Sequence, residues 1–191
     1  KSDTWAAFAE GTFDITDTLR LVAGGRYTKE DKKQLTSVAS GGLPGPINPP
    51  LSAPFTGDLS FEKFTWKAGL EWDAGPQSLV YANAATGFKS GGFFVAQPPN
   101  NTFAPENLTA FTVGAKNRFF DNKLQLNIEA FYWDYKDQQI TFVGGVRTAG
   151  GIFAQGSTTV NAGKSRIYGA ELEARFAPSR NDLFSLNVQY L

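Results

Sequence analysis

Between Pro105 and Tyr135 the chain reads PENLTAFTVGAKNRFFDNKLQLNIEAFYWDY, and in it apolar and polar residues alternate one by one. Phe111, Val113, Ala115 and Phe119 share one parity, with Thr112, Gly114, Lys116 and Arg118 on the other. After Phe120-Asp121-Asn122-Lys123 the pattern resumes. Leu124, Leu126, Ile128, Ala130 and Tyr132 alternate with Gln125, Asn127 and Glu129. A period of two puts successive side chains on opposite faces, so each run predicts a β-strand with one apolar and one polar face. Two such runs around a short polar turn predict a hairpin. Each run is about ten residues or longer, above the usual strand length of a soluble protein and close to what crosses a bilayer when tilted.

The same pattern recurs along the chain. A first strand is expected from about Thr4 to Phe13 and a second from Thr18 to Thr28. A third runs from Phe61 to Trp72, with Phe64, Trp66, Ala68, Leu70 and Trp72 on one parity, and a fourth from Ser78 to Phe88. The central hairpin supplies the fifth and sixth. A seventh is expected from Val160 to Phe176 and an eighth from Leu183 to Leu191. Short turns alternate with long segments at 29–60, 89–106 and 143–159, which are rich in Gly, Pro or charge and read as loops. Regular alternation of short and long connections is the mark of an antiparallel transmembrane β-barrel, with short periplasmic turns and long extracellular loops. Trp72, Phe119 and Phe176 lie beside short turns and Tyr27, Phe88 and Tyr132 towards long loops, at the heights of two aromatic girdles. A soluble β-sandwich is the competing fold, but it does not sort its loops this way. With short turns on the periplasmic side, both chain ends fall on the extracellular side. Residues 1–191 are therefore expected to be a single-domain slice, about eight consecutive strands of a larger barrel.

Composition narrows the chemistry. The chain has no Cys, His or Met, which removes thiolate chemistry, a Ser–His nucleophile pair and an ordinary zinc site. No catalytic residue, metal or cofactor is expected. Basic and acidic residues balance at 18 each, so no net field points to nucleic acid. No apolar run has the length of a membrane-spanning helix.

Charges concentrate on the polar parity. Arg20, Arg26, Lys63, Lys67, Glu71, Lys116, Arg118, Glu129, Glu171, Glu173 and Arg175 are expected to face a wetted lumen. A charge facing lipid would cost about 2–4 kcal/mol at the midplane. They could bind a partner domain, line a substrate path or pair across neighbouring strands. Gly87-Phe88-Lys89-Ser90-Gly91-Gly92-Phe93 resembles a phosphate loop only superficially, because no helix follows and the spacing is wrong. Glu106 either contacts ligand or, with Pro105, fixes how the chain re-enters the wall. Phe93, Phe94, Phe103, Phe142 and Phe153 fall in or beside the long segments. With Lys89 they are candidates to hold a ligand or to pack the loops.

Several segments, taken together, resemble the TonB-dependent outer-membrane receptors. They are Tyr81 to Phe93 (YANAATGFKSGGF), Pro105-Glu106-Asn107-Leu108, Gly114-Ala115-Lys116, Ala130 to Tyr135 with Asp137-Gln138-Gln139, and Asn161 to Glu173 (NAGKSRIYGAELE). The resemblance covers nearly the whole chain and implies a middle-to-late part of a large plugged barrel. It implies a bacterial outer-membrane importer of a scarce bulky nutrient, most often an iron-siderophore, and no enzyme. The implied partners are outer-membrane lipid, the receptor's own plug domain and, through it, the TonB-ExbB-ExbD complex. The plug and the TonB box are not in this sequence. The alternative is a small standalone outer-membrane barrel with a structural or adhesion role, which requires the first strand to pair with the eighth.

Overall fold

The computed structural model describes the backbone of residues 1–36, 39–45, 48–52, 55–94, 96, 98–99, 101–147 and 153–191, and their side chains outside 36–54 and 146–154. All regular structure among them is β: β1 (Ser2–Asp14), β2 (Leu19–Thr36), β3 (Ala39–Gly45), β4 (Asn48–Ser52), β5 (Phe55–Gly75), β6 (Ser78–Lys89), β7 (Gly92–Phe93), β8 (Thr102–Phe103), β9 (Glu106–Phe119), β10 (Leu124–Arg147), β11 (Phe153–Phe176) and β12 (Phe184–Tyr190). Eight of these form one antiparallel sheet in the order β1-β2-β5-β6-β9-β10-β11-β12. Each pairs with the next long strand along the chain, as a meander must. Among the described residues β1 and β12 do not pair with each other.

The register keeps one parity together across the whole sheet. One row runs Phe13–Leu21–Leu70–Ala82–Val113–Ala130–Ala170–Tyr190. The adjacent polar row runs Asp14–Arg20–Glu71–Tyr81–Gly114–Glu129–Glu171–Gln189. A one-residue slip at any pair would mix the two faces, so the pattern fixes the register. The apolar face is uncovered: Phe64 is 60% exposed, Leu70 47%, Val113 52% and Val188 51%. Among the described residues the buried core side chains are Val22, Ala96 and Phe131. An apolar face spanning eight strands needs an apolar neighbour, because water disfavours so large a patch.

The short connections lie where the alternation predicts them. In the turn after β9, Phe120, Asp121 and Asn122 all have positive φ, at 54°, 55° and 66°. Asp and Asn tolerate this left-handed region, whereas Phe120 is an unusual occupant.

Two of the expected long loops are largely strand. β2 and β5 stay paired up to Thr36 and Phe55, and β10 and β11 up to Arg147 and Phe153. The reason is physical: a hairpin with both faces in water needs no apolar parity, so its ladder leaves no alternation in the sequence. Cross-strand ion pairs Lys29–Glu62 and Lys33–Asp58 line the first of these hairpins.

Between the two tall hairpins the sheet is lower. The β5–β6 ladder stops at Lys67–Ala85. Just above it the Thr86 hydroxyl takes the place of a strand partner, accepting the Trp66 N–H at 2.9 Å. The β9–β10 ladder stops at Asn107–Lys136. β9 begins there, and on β10 Asp137 follows with φ 56°. The strands β6 and β9 thus end in a notch flanked by the two hairpins. The described residues of 90–105 occupy that notch, including the small β7–β8 ladder.

Candidate functional site: the polar face and its roofed notch

All the charged residues expected to face a lumen lie on one face of the sheet. This follows from the register alone: Arg26 opposes Thr65, Thr28 opposes Lys63, Lys116 opposes Asn127, and Arg118 opposes Gln125, which opposes Arg175. Near the short turns Arg20 donates from Nη1 and Nη2 to the two carboxylate oxygens of Asp73, at 2.5 and 2.9 Å, and from Nε to Glu71 Oε2 at 3.3 Å. The bidentate contact with Asp73 gives that pair direction as well as charge. Lys67 reaches Glu10 only at 3.4 Å. The Arg26 guanidinium lies 5.9 Å from the Phe8 ring, which is 77% exposed on this polar face.

The centre of the face is a groove of about 620 Å³ lined by Tyr81, Lys116, Asn127, Glu129, Glu171, Glu173 and Gln189 among others. Glu129 and Glu171 stand directly opposite each other, an arrangement that repels unless each charge has a donor. Each has one. Tyr81 Oη donates to Glu129 Oε2 at 2.6 Å, and Gln189 Nε2 donates to Glu171 Oε1 at 2.8 Å. Asn127 Nδ2 donates to Glu173 Oε2 at 3.1 Å. Tyr81 reaches across β9 to Glu129 because the intervening position is Gly114, whose missing side chain leaves room for the ring. Replacing Tyr81 with Phe should remove a bond to a charged acceptor and cost about 1–2 kcal/mol. Urea unfolding would read this as a lower midpoint with an unchanged slope.

The notch is the second feature. Lys32 Nζ donates to Ser90 Oγ and to the Gly91 carbonyl, both at 2.7 Å, and lies 5.8 Å from the Phe61 ring. Glu30, three residues above Tyr27 and beyond the apolar band, accepts from Ser2 Oγ at 3.0 Å and pairs with Lys32 at 3.3 Å. Its carboxyl is held below the usual range, chiefly by the Ser90 hydroxyl, with Ser2 and Lys32 adding to this against the opposing effect of burial. A depressed carboxyl contributes stability above its ordinary value of 4.5, and that contribution is lost as pH falls through the lower folded value.

On the other side Gln139 Nε2 donates to the carbonyls of Ser90 at 2.9 Å and Ala104 at 3.1 Å. Asn161 accepts the Ala104 N–H at 2.7 Å and donates to the Ala104 carbonyl at 2.8 Å. Glu106 Oε2 accepts the backbone N–H of Gln139 at 2.7 Å. That amide has lost its strand partner where β9 begins, and a backbone donor needs a substitute. Glu106 therefore has a structural task in the wall.

The loop residues expected to meet a ligand separate here. Lys89 is exposed at the end of β6, opposite Glu106. Phe93 packs its ring on Gly57, and Phe103 packs on Gly92. Phe94 is half-buried, with its N–H bonded to the Asn101 carbonyl at 2.8 Å. Phe142 is 48% exposed on β10. Phe153 starts β11, and its side chain lies outside those described. The sequence reading missed Lys32, Gln139 and Asn161 as a group. Gln139 and Asn161 stood within segments that carried the family resemblance, but nothing in their spacing showed that they meet.

The family model described as TonB dependent receptor-like, beta-barrel matches residues 1–191. The chain belongs to this family. Its members are transport receptors of the bacterial outer membrane. Among solved structures it is similar to the ferric yersiniabactin uptake receptor FyuA from Yersinia pestis, at 20% identity and a TM-score of 0.75, over 98% of this chain and 26% of that one. The copper transporter OprC matches at 19% identity and a TM-score of 0.74, over 99% of this chain and 28% of that one. The siderophore receptor PiuA from Acinetobacter baumannii matches at 18% and 0.67, over 100% and 26%. The chain thus spans about a quarter of the length of these TonB-dependent receptor structures, and at these identities the likeness is one of fold. In a membrane-spanning barrel the uncovered apolar face has its neighbour, since it is the face such barrels turn to lipid.

Proposed function

We propose that this chain is part of the wall of an outer-membrane receptor that imports a scarce bulky nutrient, an iron-siderophore in the first instance, by TonB-coupled transport. The observation that carries the reading is the two-faced register: one continuous apolar face and one continuous charged face on the same eight strands. Such a sheet suits lipid on one side and a wetted lumen on the other. On this reading the charged set from Arg20 to Arg175 faces the lumen, where the receptor's plug domain packs and communicates with TonB-ExbB-ExbD. Lys89 and Phe94 are the loop residues best placed to meet a ligand.

The siderophore choice is supported by family members whose structures are named as siderophore or ferric-siderophore receptors. A copper or haem cargo draws less support from this stretch. It contains no Cys, Met or His, the side chains that favour copper and the usual axial ligands of haem. The standalone-barrel alternative needs β1 against β12, a pairing not made among the described residues.

Deleting the gene in its host tests the proposal. Uptake of labelled ferric siderophores should fall, and the same loss should follow deletion of tonB. Loss confined to haem, cobalamin or copper uptake would overturn the substrate. Uptake that persists without TonB would overturn the transport mechanism.

A further inference from the structure

The segment 90–104 is bonded to both tall hairpins at once. The β2–β5 hairpin holds it through Lys32, at Ser90 Oγ and the Gly91 carbonyl, and through the Phe61 ring, which fills the space beside Gly91. The β10–β11 hairpin holds it through Gln139 and Asn161, which are cross-strand partners. Asn161 takes both backbone groups of Ala104 and also donates to the Asp137 carbonyl at 2.9 Å, so its amide is fixed at three points. Gln139 bonds both ends of the segment, at Ser90 and Ala104. Between these ends four of the described residues are buried: Gly91, Gly92, Ala96 at 2% exposure and Asn101 at 3%. A segment that swings open would have to break all these bonds together and expose this packing. Segments that move in function have few buried contacts; here the Lys32 bonds and the Gln139–Ser90 bond are partly buried, while the bonds of Asn161 are exposed.

We infer that the described residues of 90–104 form a fixed tie between the two hairpins, not a gate, and that Gln139 and Asn161 are positioning residues that set the distance between the hairpins above the notch. This goes beyond the transport reading and does not depend on the identity of the cargo.

The test uses the full-length receptor in lipid nanodiscs with no ligand added. Lys33 and Val143 are exposed on the two hairpins. Spin labels at Lys33→Cys and Val143→Cys would report their separation. A narrow distance distribution is expected, and Asn161→Ala should broaden or shift it. Amide exchange should be slow over 91–104, and at least tenfold faster in Asn161→Ala and Gln139→Ala, with the strands around Val113 and Ala130 unchanged. Asn161→Asp keeps the size and the acceptor for Ala104 N–H but loses both donated bonds. It should give an intermediate exchange rate, and it serves if the alanine variants fold poorly. Rapid exchange over 91–104 in the unaltered receptor would overturn the inference. So would a distance distribution indifferent to Asn161→Ala and Asn161→Asp.

Discussion

Val188→Arg is expected to abolish most of the folded receptor, whereas Asn187→Arg, one residue away, is expected to be tolerated. Val188 stands on the apolar parity in mid-strand, between Phe184 and Tyr190, on the edge strand β12, whose residues are all exposed. An arginine there faces lipid near the middle of the band and costs about 2–4 kcal/mol, roughly 30- to 700-fold in the folding equilibrium. Asn187 lies on the other face, opposite Glu173, where an arginine meets water and a carboxylate. Heat-modifiable mobility of each variant on gels, which separates folded from unfolded barrels, would read the contrast. Equal loss in both variants would mean that the two faces are not lipid and lumen.

Gly114→Val is the second large effect. A Cβ at Gly114 would lie 2.5 Å from the Tyr81 ring and 2.8 Å from the Ile128 carbonyl oxygen. Overpacking of this kind costs about 1–3 kcal/mol. Displacing Tyr81 also breaks its bond to Glu129 and leaves that carboxylate opposite Glu171 with one donor fewer. The two losses share one cause, so they should not add independently. In a Tyr81→Ala background the Gly114→Val penalty should shrink, leaving the backbone clash with Ile128. Urea midpoints of the four proteins complete this double-mutant cycle. A penalty that is the same with and without the Tyr81 ring would show that the glycine is there for another reason.

The wall was legible because each spanning strand must solve two solvents at once. Residues such as Leu70 and Glu71, or Ile128 and Glu129, are forced onto opposite parities, and that leaves a period in the sequence. The hairpins above the band escaped detection for the complementary reason. Both of their faces meet water, so Lys29–Glu62 and Gly144–Gly156 are paired without any apolar rhythm to announce them. The notch was illegible in a different way. Its contacts join Lys32, Ser90, Glu106, Gln139 and Asn161, which come from four separate stretches and act partly on backbone atoms. Spacing carries no trace of such bonds. Of the two roles open to Glu106, its bond to the Gln139 amide favours the structural one. The aromatic candidates divided because two of them, Phe93 and Phe103, fill spaces left by glycines.

The left-handed residue Asp137 separates two independent lengths. Below it, β10 is held in register on both sides, by β9 and β11; above it, only the β11 ladder remains. Residues can therefore be inserted in matched pairs near Arg147 and Phe153 without shifting any wall position. Receptors sharing this wall could present crowns of different height to the outside while keeping one and the same trunk.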